Sequence, residues 1–202
     1  KRGMAIETGI SFQTDGTLVQ RLLDLLSFQL TRAQERVWTE IKEDLRRPHP
    51  MNRLIQGDVG SGKTVVALLA SLYVVECGYQ AAIMAPTEVL VEQHYLNIHR
   101  LVEPLGVKVA MLTSSIKGSE REDLYDQIRR GDVNLVIGTH AVIQEAVEFH
   151  RLGLAIVDEQ HKFGVVQRGL LKRKGLNPDV LVMTATPIPR TLAMTIYGDL
   201  DV

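Results

Sequence analysis

Leu54-Ile55-Gln56-Gly57-Asp58-Val59-Gly60-Ser61-Gly62-Lys63-Thr64-Val65-Val66-Ala67-Leu68-Leu69 decides the fold. Gly57–Thr64 is a complete G-x-x-x-x-G-K-T loop, set between an apolar strand-like run and an apolar helix-like run. Glycines let successive backbone N–H groups turn inward on a phosphate, and the helix that follows adds its positive N-terminal end. Within this loop Gly57, Asp58, Val59, Gly60, Ser61 and Gly62 supply main chain, Lys63 reaches the outer phosphates, and the Thr64 hydroxyl suits Mg²⁺. The expected ligand is a nucleoside triphosphate.

Outward from the loop, strand and helix patterns alternate. Short β-rich runs are expected at 53–56, 80–84, 107–112, 133–137, 153–157 and 179–184, with helices at 63–76, 87–102, 118–130 and 166–174. Strand-then-helix repetition argues for parallel pairing through crossover helices. Runs such as Leu154-Ala155-Ile156-Val157 are apolar on both faces, as strands covered on both sides must be. The expected fold is α/β, a mostly parallel sheet with helices on both faces. Upstream, Leu18–Leu26 has helical spacing, and Thr31-Arg32-Ala33-Gln34 has the form of a capping box before Val37, Ile41 and Leu45. Residues 1–17 read as a linker or arm, so the chain divides into an arm and helix over 1–27 and one domain over 28–202.

Ligands of such sheets sit beyond the carboxyl ends of the strands. Asp158-Glu159-Gln160-His161 leaves one strand there. Asp158 suits the metal side, completing the site begun by Thr64. Glu159 beside it suits a general base that orients and deprotonates water. Thr184-Ala185-Thr186-Pro187 ends the next strand. Its hydroxyls suit sensing of the outer phosphate, a bond to the Asp158–His161 segment, or a plain turn. Gln34 is either a structural capping residue or a reader of the adenine edge. His94 and His99, five residues apart on one helix, read as surface residues on different faces. Lys117, Arg121, Arg129 and Arg130 read as a wetted helix face or a contact for an acidic polymer. Trp38 and Phe28 read as packing residues, Phe28 with the option of flanking a base.

Composition excludes little else. The chain has 202 residues, 45% of them apolar, enough for one domain with a real core. The net charge of −1 leaves the question of a nucleic-acid partner to local patches. The single cysteine, Cys77, fits a reducing cytosol, and no run approaches a membrane span. No guanine-reading N-K-x-D segment and no L-S-G-G-Q signature is present.

In this order the blocks resemble the first RecA-like lobe of a superfamily 2 helicase. Gly57–Thr64 matches motif I, Ala85-Pro86-Thr87-Glu88 motif Ia, Gly138-Thr139-His140-Ala141 motif Ib, Asp158–His161 motif II and Thr184-Ala185-Thr186 motif III. The wording of Met51–Thr64, Asp158–Val165 and Met183–Met194 is similar to the RecG family of branched-DNA helicases, with the transcription-repair coupling factor as the nearest rival. A nucleotide-gated binding module that never hydrolyses is the rival from another class.

The resemblance implies an ATP- and Mg²⁺-dependent motor of the bacterial cytosol acting on forks and Holliday junctions, with no membrane partner. Lys63, Asp158 and Glu159 would be catalytic. Gln34 would contact adenine. Pro86, Thr87, Glu88, Thr139 and His140 would lie along the nucleic-acid backbone. His161, Thr184 and Thr186 would couple nucleotide state to lobe movement. The motif III strand is expected between the motif I and motif II strands. Ser114 and Lys162 depart from the family's usual Gly and Arg, and Lys lacks the bidentate fork.

A second RecA-like lobe with its motif VI arginine, and an N-terminal wedge that grips branched DNA, are expected as partners from the same protein. An arginine finger contributes about 10³–10⁵ in turnover. The 202-residue chain alone is therefore expected to bind ATP–Mg weakly, hydrolyse it at a trace rate and leave DNA unopened. Steady-state ATPase with and without forked DNA checks this, and stimulation to whole-helicase rates would contradict it.

Overall fold

The structure is a computed structural model that describes residues 8–57, 62–158, 169–171, 173–175 and 177–184. In chain order it contains α1 (Thr17–Leu25), α2 (Arg32–Arg46), β1 (Asn52–Gln56), α3 (Lys63–Glu76), β2 (Gln80–Met84), α4 (Glu88–Val102), β3 (Val109–Leu112), α5 (Ser119–Arg130), β4 (Leu135–Gly138), β5 (Leu152–Asp158) and β6 (Asp179–Thr184). Short 3₁₀ turns cover Glu103–Leu105 and His140–Ile143. The expected elements appear within a few residues of their bounds, apart from the helix at 166–174, of which 166–168 and 172 lie outside the described residues.

The strands form one sheet in the order β1-β6-β5-β2-β4-β3, and every pairing is parallel. The motif III strand, β6, stands between β1 and β5 as expected. Period-two alternation splits each strand between two cores. Ala81, Ile83, Ile156 and Leu181 face the core shared with α1, α2, α3 and α4. Ala82, Met84, Ala155 and Val182 face the core shared with α5 and the His140–Ile143 turn. Helices thus cover both faces, which is why the strands read as unbroken apolar runs.

α3 is buried from Val66 to Val74 without a polar stripe. A helix apolar all round has to be enclosed. The sheet covers one side, and α1 and α2 cover the other. The arm and helix expected over 1–27 therefore lie, for residues 8–25, against the domain. Phe12 is 1% exposed and meets the Tyr79 ring edge-on, with centroids 5.1 Å apart. Its N–H donates to Leu45 O at 2.8 Å. Leu22 is fully buried, so truncating it to Ala costs about 2–5 kcal/mol.

At the amino end of the sheet, Asp179 opens β6 almost wholly buried. Its Oδ1 accepts the Met51 N–H at 2.8 Å, while Oδ2 has no hydrogen-bond partner. Burial pushes the carboxyl up to about 8, against the lowering effect of the Met51 N–H and with a further push from Asp44. A carboxyl raised in the folded state contributes its full stability below about pH 4 and loses it as pH climbs through the folded value. Stability should therefore fall steadily with rising pH from about pH 4 toward pH 8 because of this group. Asp179→Asn should flatten that slope and melt higher than the parent at pH 8. Urea denaturation across that range measures it, and an unchanged slope would remove Asp179 as its source.

Candidate nucleotide and nucleic-acid site

β1 delivers the phosphate loop. The Gly57 N–H continues the ladder to Thr184 O at 3.1 Å, so the loop's first residue is pinned to the end of β6. At the far end Gly62 caps α3 with φ +79°, a left-handed turn only glycine makes without strain. A Cβ there would also stand 1.9 Å from Gln34 Nε2. The glutamine amide therefore lies directly against the end of the loop. Its Oε1 accepts the Thr31 N–H at 2.9 Å, and Thr31 Oγ1 accepts the Gln34 N–H at 3.1 Å. Gln34 thus closes the capping box, the structural alternative, and its amide also abuts the loop.

Lys63 Nζ donates to Gly57 O at 2.6 Å, folding back across the loop it follows. Lys63 and Thr64 are the first residues of α3, where main-chain N–H groups have no partner within the helix. Asp58, Val59, Gly60 and Ser61 lie outside the described residues, as do Glu159, Gln160, His161, Lys162 and Thr186.

Across β6, Asp158 is in register with Met183, which is in register with Ile55. The carboxylate thus stands at the same edge as the loop, two strands and about 10 Å away by ladder spacing. Thr184 is 1% exposed at the end of the strand between them. Among the described residues no three His, Cys, Asp or Glu side chains gather into a metal cage. One carboxylate with one hydroxyl fits Mg²⁺, which keeps most of its shell for water and phosphate oxygens.

His94 is a correction. It is no surface residue: its side chain is 14% exposed, and Nε2 is 2.6 Å from Asp158 Oδ2. A carboxylate only accepts, so the imidazole N–H donates. His99 does stand at the surface, stacked on Tyr95 with centroids 5.4 Å apart.

The other three strands carry the second half of the edge. Thr87 caps α4, its Oγ1 accepting the Leu90 N–H at 3.3 Å, and Pro86 beside it is exposed. Glu88 Oε1 accepts the Ser114 hydroxyl at 2.8 Å, joining the end of β2 to the end of β3. Arg121 donates to Ile116 O and Ser114 O, so it braces that turn. Arg129 pairs with Asp126 and Arg130 with Asp132, the wetted-face alternative. Gly138 ends β4 where a Cβ would stand 2.3 Å from Leu112 O. Thr139 is 7% exposed and its hydroxyl accepts the Ala141 N–H, whereas His140 is exposed.

Trp38 packs as expected, 8% exposed and edge-on to Tyr73. Phe28 does not: it is 50% exposed, because the short break between α1 and α2 carries it away from the core. A cavity of about 420 Å³ lined by Thr8, Gly9, Ile10, Gly175 and Asn177 lies near the amino end of β6, away from this chemistry.

A family model described as DEAD/DEAH box helicase matches residues 31–195. A protein of Aquifex aeolicus named ATP-dependent DNA helicase RecG is 52% identical over 204 residues, covering all of this chain and 26% of that protein. Its namesake in Streptococcus pneumoniae is 58% identical over 177 residues, 88% of this chain and 26% of that protein. The chain thus spans about a quarter of the length of these relatives. The solved structure of RecG bound to a three-way DNA junction matches with a TM-score of 0.83 and 46% identity over 96% of this chain and 26% of that one.

Substituting Gly62 with Ala should cost about 1–2 kcal/mol from the left-handed backbone alone and displace Gln34. Chemical denaturation checks the first effect. Fluorescent ADP binding checks the second, with weaker binding expected.

Proposed function

Since the chain belongs to the DEAD/DEAH box helicase family and carries its RecA-like fold, we propose that it is the ATP-binding motor lobe of an ATP-dependent DNA helicase that remodels forks and junctions. The observation that carries this reading is the placement of Lys63 and Asp158 at one edge, on either side of β6. The relatives named RecG, and the one bound to a three-way junction, support branched DNA as the substrate.

Each residue then has a task. Lys63 leaves the Gly57 carbonyl for the outer phosphates. The main chain of Gly57–Thr64 cradles them, and Gln34 meets the adenine edge above Gly62. Thr64 and Asp158 would hold Mg²⁺, which when bound would offset the charge on the phosphate oxygens. Glu159 orients the attacking water and takes its proton. Pro86, Thr87, Glu88 and His140 line the DNA backbone, with Thr139 offering its hydroxyl proton, since its N–H already donates to Leu112 O and its hydroxyl oxygen only accepts from the Ala141 N–H. His161, Thr184 and Thr186 relay nucleotide state to a second RecA-like lobe, which supplies the arginine, while a wedge elsewhere in the protein holds the junction. The bacterial cytosol is the compartment this chemistry needs.

The test uses a protein that carries this lobe together with the remaining domains of its relatives. Forked DNA should stimulate its ATPase. Lys63→Ala should lose nucleotide affinity and turnover together. Glu159→Gln should keep nucleotide binding and lose about 10²–10⁴ in turnover. Absence of stimulation by forked DNA would overturn the helicase reading, and full turnover in Glu159→Gln would overturn the base.

A further inference from the structure

The β2–β5 ladder ends at Met84–Val157. Asp158 is the next residue of β5, so on the β2 side its first tie beyond the sheet is made by a side chain. That tie comes from α4, the helix that leaves β2: His94 Nε2 meets Asp158 Oδ2 at 2.6 Å, with side chains 14% and 24% exposed. The terminal torsion of an Asp side chain is broad and nearly two-fold. One hydrogen bond to one oxygen is therefore enough to choose its orientation. Carboxylates that bind metals are commonly held in this way, and loss of the holding group typically costs 10–100-fold in metal affinity or activity.

We propose that His94 is a positioning residue for the metal-side carboxylate. Its Nε2–H holds Oδ2 of Asp158 and leaves Oδ1 for the water shell of the cation. The inference rests on the assignment of Asp158 to Mg²⁺ made above. It adds a consequence for the other half of the edge. α4 begins at Thr87 and Glu88, so a helix seated on the nucleic-acid side has its second turn bonded to the nucleotide side.

The test is the Mg²⁺ dependence of fluorescent ADP binding to this chain, measured in EDTA and then through a Mg²⁺ titration. Asp158→Asn should flatten that dependence. His94→Ala and His94→Phe should match the parent in EDTA, which also certifies their fold, and need about tenfold more Mg²⁺ to reach the tight state. His94→Gln, whose amide N–H can reach the same oxygen, should return to within about threefold of the parent, an outcome that mere packing by His94 would not produce. The imidazole ¹⁵N signal of His94 should shift when Mg²⁺ is added to the ADP-bound chain. Parent-like Mg²⁺ dependence in both loss variants, or no rescue by Gln, overturns the role of His94 while leaving Asp158 in place. A parent-like Asp158→Asn overturns the metal assignment itself, and this inference with it.

Discussion

The pairing of β6 between β1 and β5 is the constraint on which the rest depends. Parallel strands deliver all their carboxyl ends to one edge, but an edge is long, and chemistry needs neighbours. With β6 inserted, the loop after β1 and the carboxylate after β5 flank a single strand whose terminal carbonyl, on Thr184, also accepts the Gly57 N–H. The third motif thus lies under both of the others. A movement at the end of β6 reaches the first residue of the loop through a main-chain hydrogen bond, and reaches Asp158 through the neighbouring ladder.

The same sheet sets a second demand, met far from the site. α3 must start at the loop with its N–H groups aimed outward, yet its body is apolar on every side. Such a helix holds its start in place only if it is enclosed along its length. The enclosure comes from chain that precedes β1: α1, α2 and the extended segment around Phe12. Thr31 and Gln34 lie within this cover, which is why a residue so early in the chain comes to rest on Gly62. The cover is therefore both core and wall of the proposed nucleotide site. Burial energy of about 1.5–3 kcal/mol for each enclosed Leu far exceeds the roughly 1 kcal/mol of a capping interaction. Packing places Gln34, and the cap only orients it.

Strand positions were legible in sequence because strands covered on both faces are apolar without interruption, as Leu154–Val157 illustrates. The phosphate loop was legible because its residue types answer a local demand. The order of the strands was not written in any local pattern, since a crossover helix can carry the chain past one neighbour as readily as beside it. Only the place of β6 between β1 and β5 was anticipated, and that through resemblance. Three individual residues escaped for a shared reason. Phe12 sits in an arm with no periodicity, Asp179 looks like any acid at a strand start, and His94 looks like any polar residue on an amphipathic helix. Each is defined by a partner distant in sequence: Tyr79, Met51 and Asp158 respectively. Periodicity reports which face a residue occupies and is silent about what is opposite.

The strand order also divides the edge in two. β1, β6 and β5 carry the proposed nucleotide residues as one contiguous block, and β2, β4 and β3 carry Thr87, Thr139 and Ser114 as another. The proposed motor needs those blocks to exchange free energy, and allostery demands a contact whose strength differs between states. Within the sheet the seam is the β5–β2 ladder, whose register shift lies at its far end, between Gln80 and Ala81, and whose pairing runs in step from Ala81 to Met84. Past its end, among the described residues, lie side chains and the helix that starts there. The hydrogen bond from His94 to Asp158 crosses the seam at that point. It joins the carboxylate to a helix whose first turn is also tied to β3 through Glu88 and Ser114. A cation drawing on Asp158 and a polyanion pressing on the start of α4 would then act on the same bond from opposite ends. By reciprocity, whatever one gains from the other's presence must be returned equally.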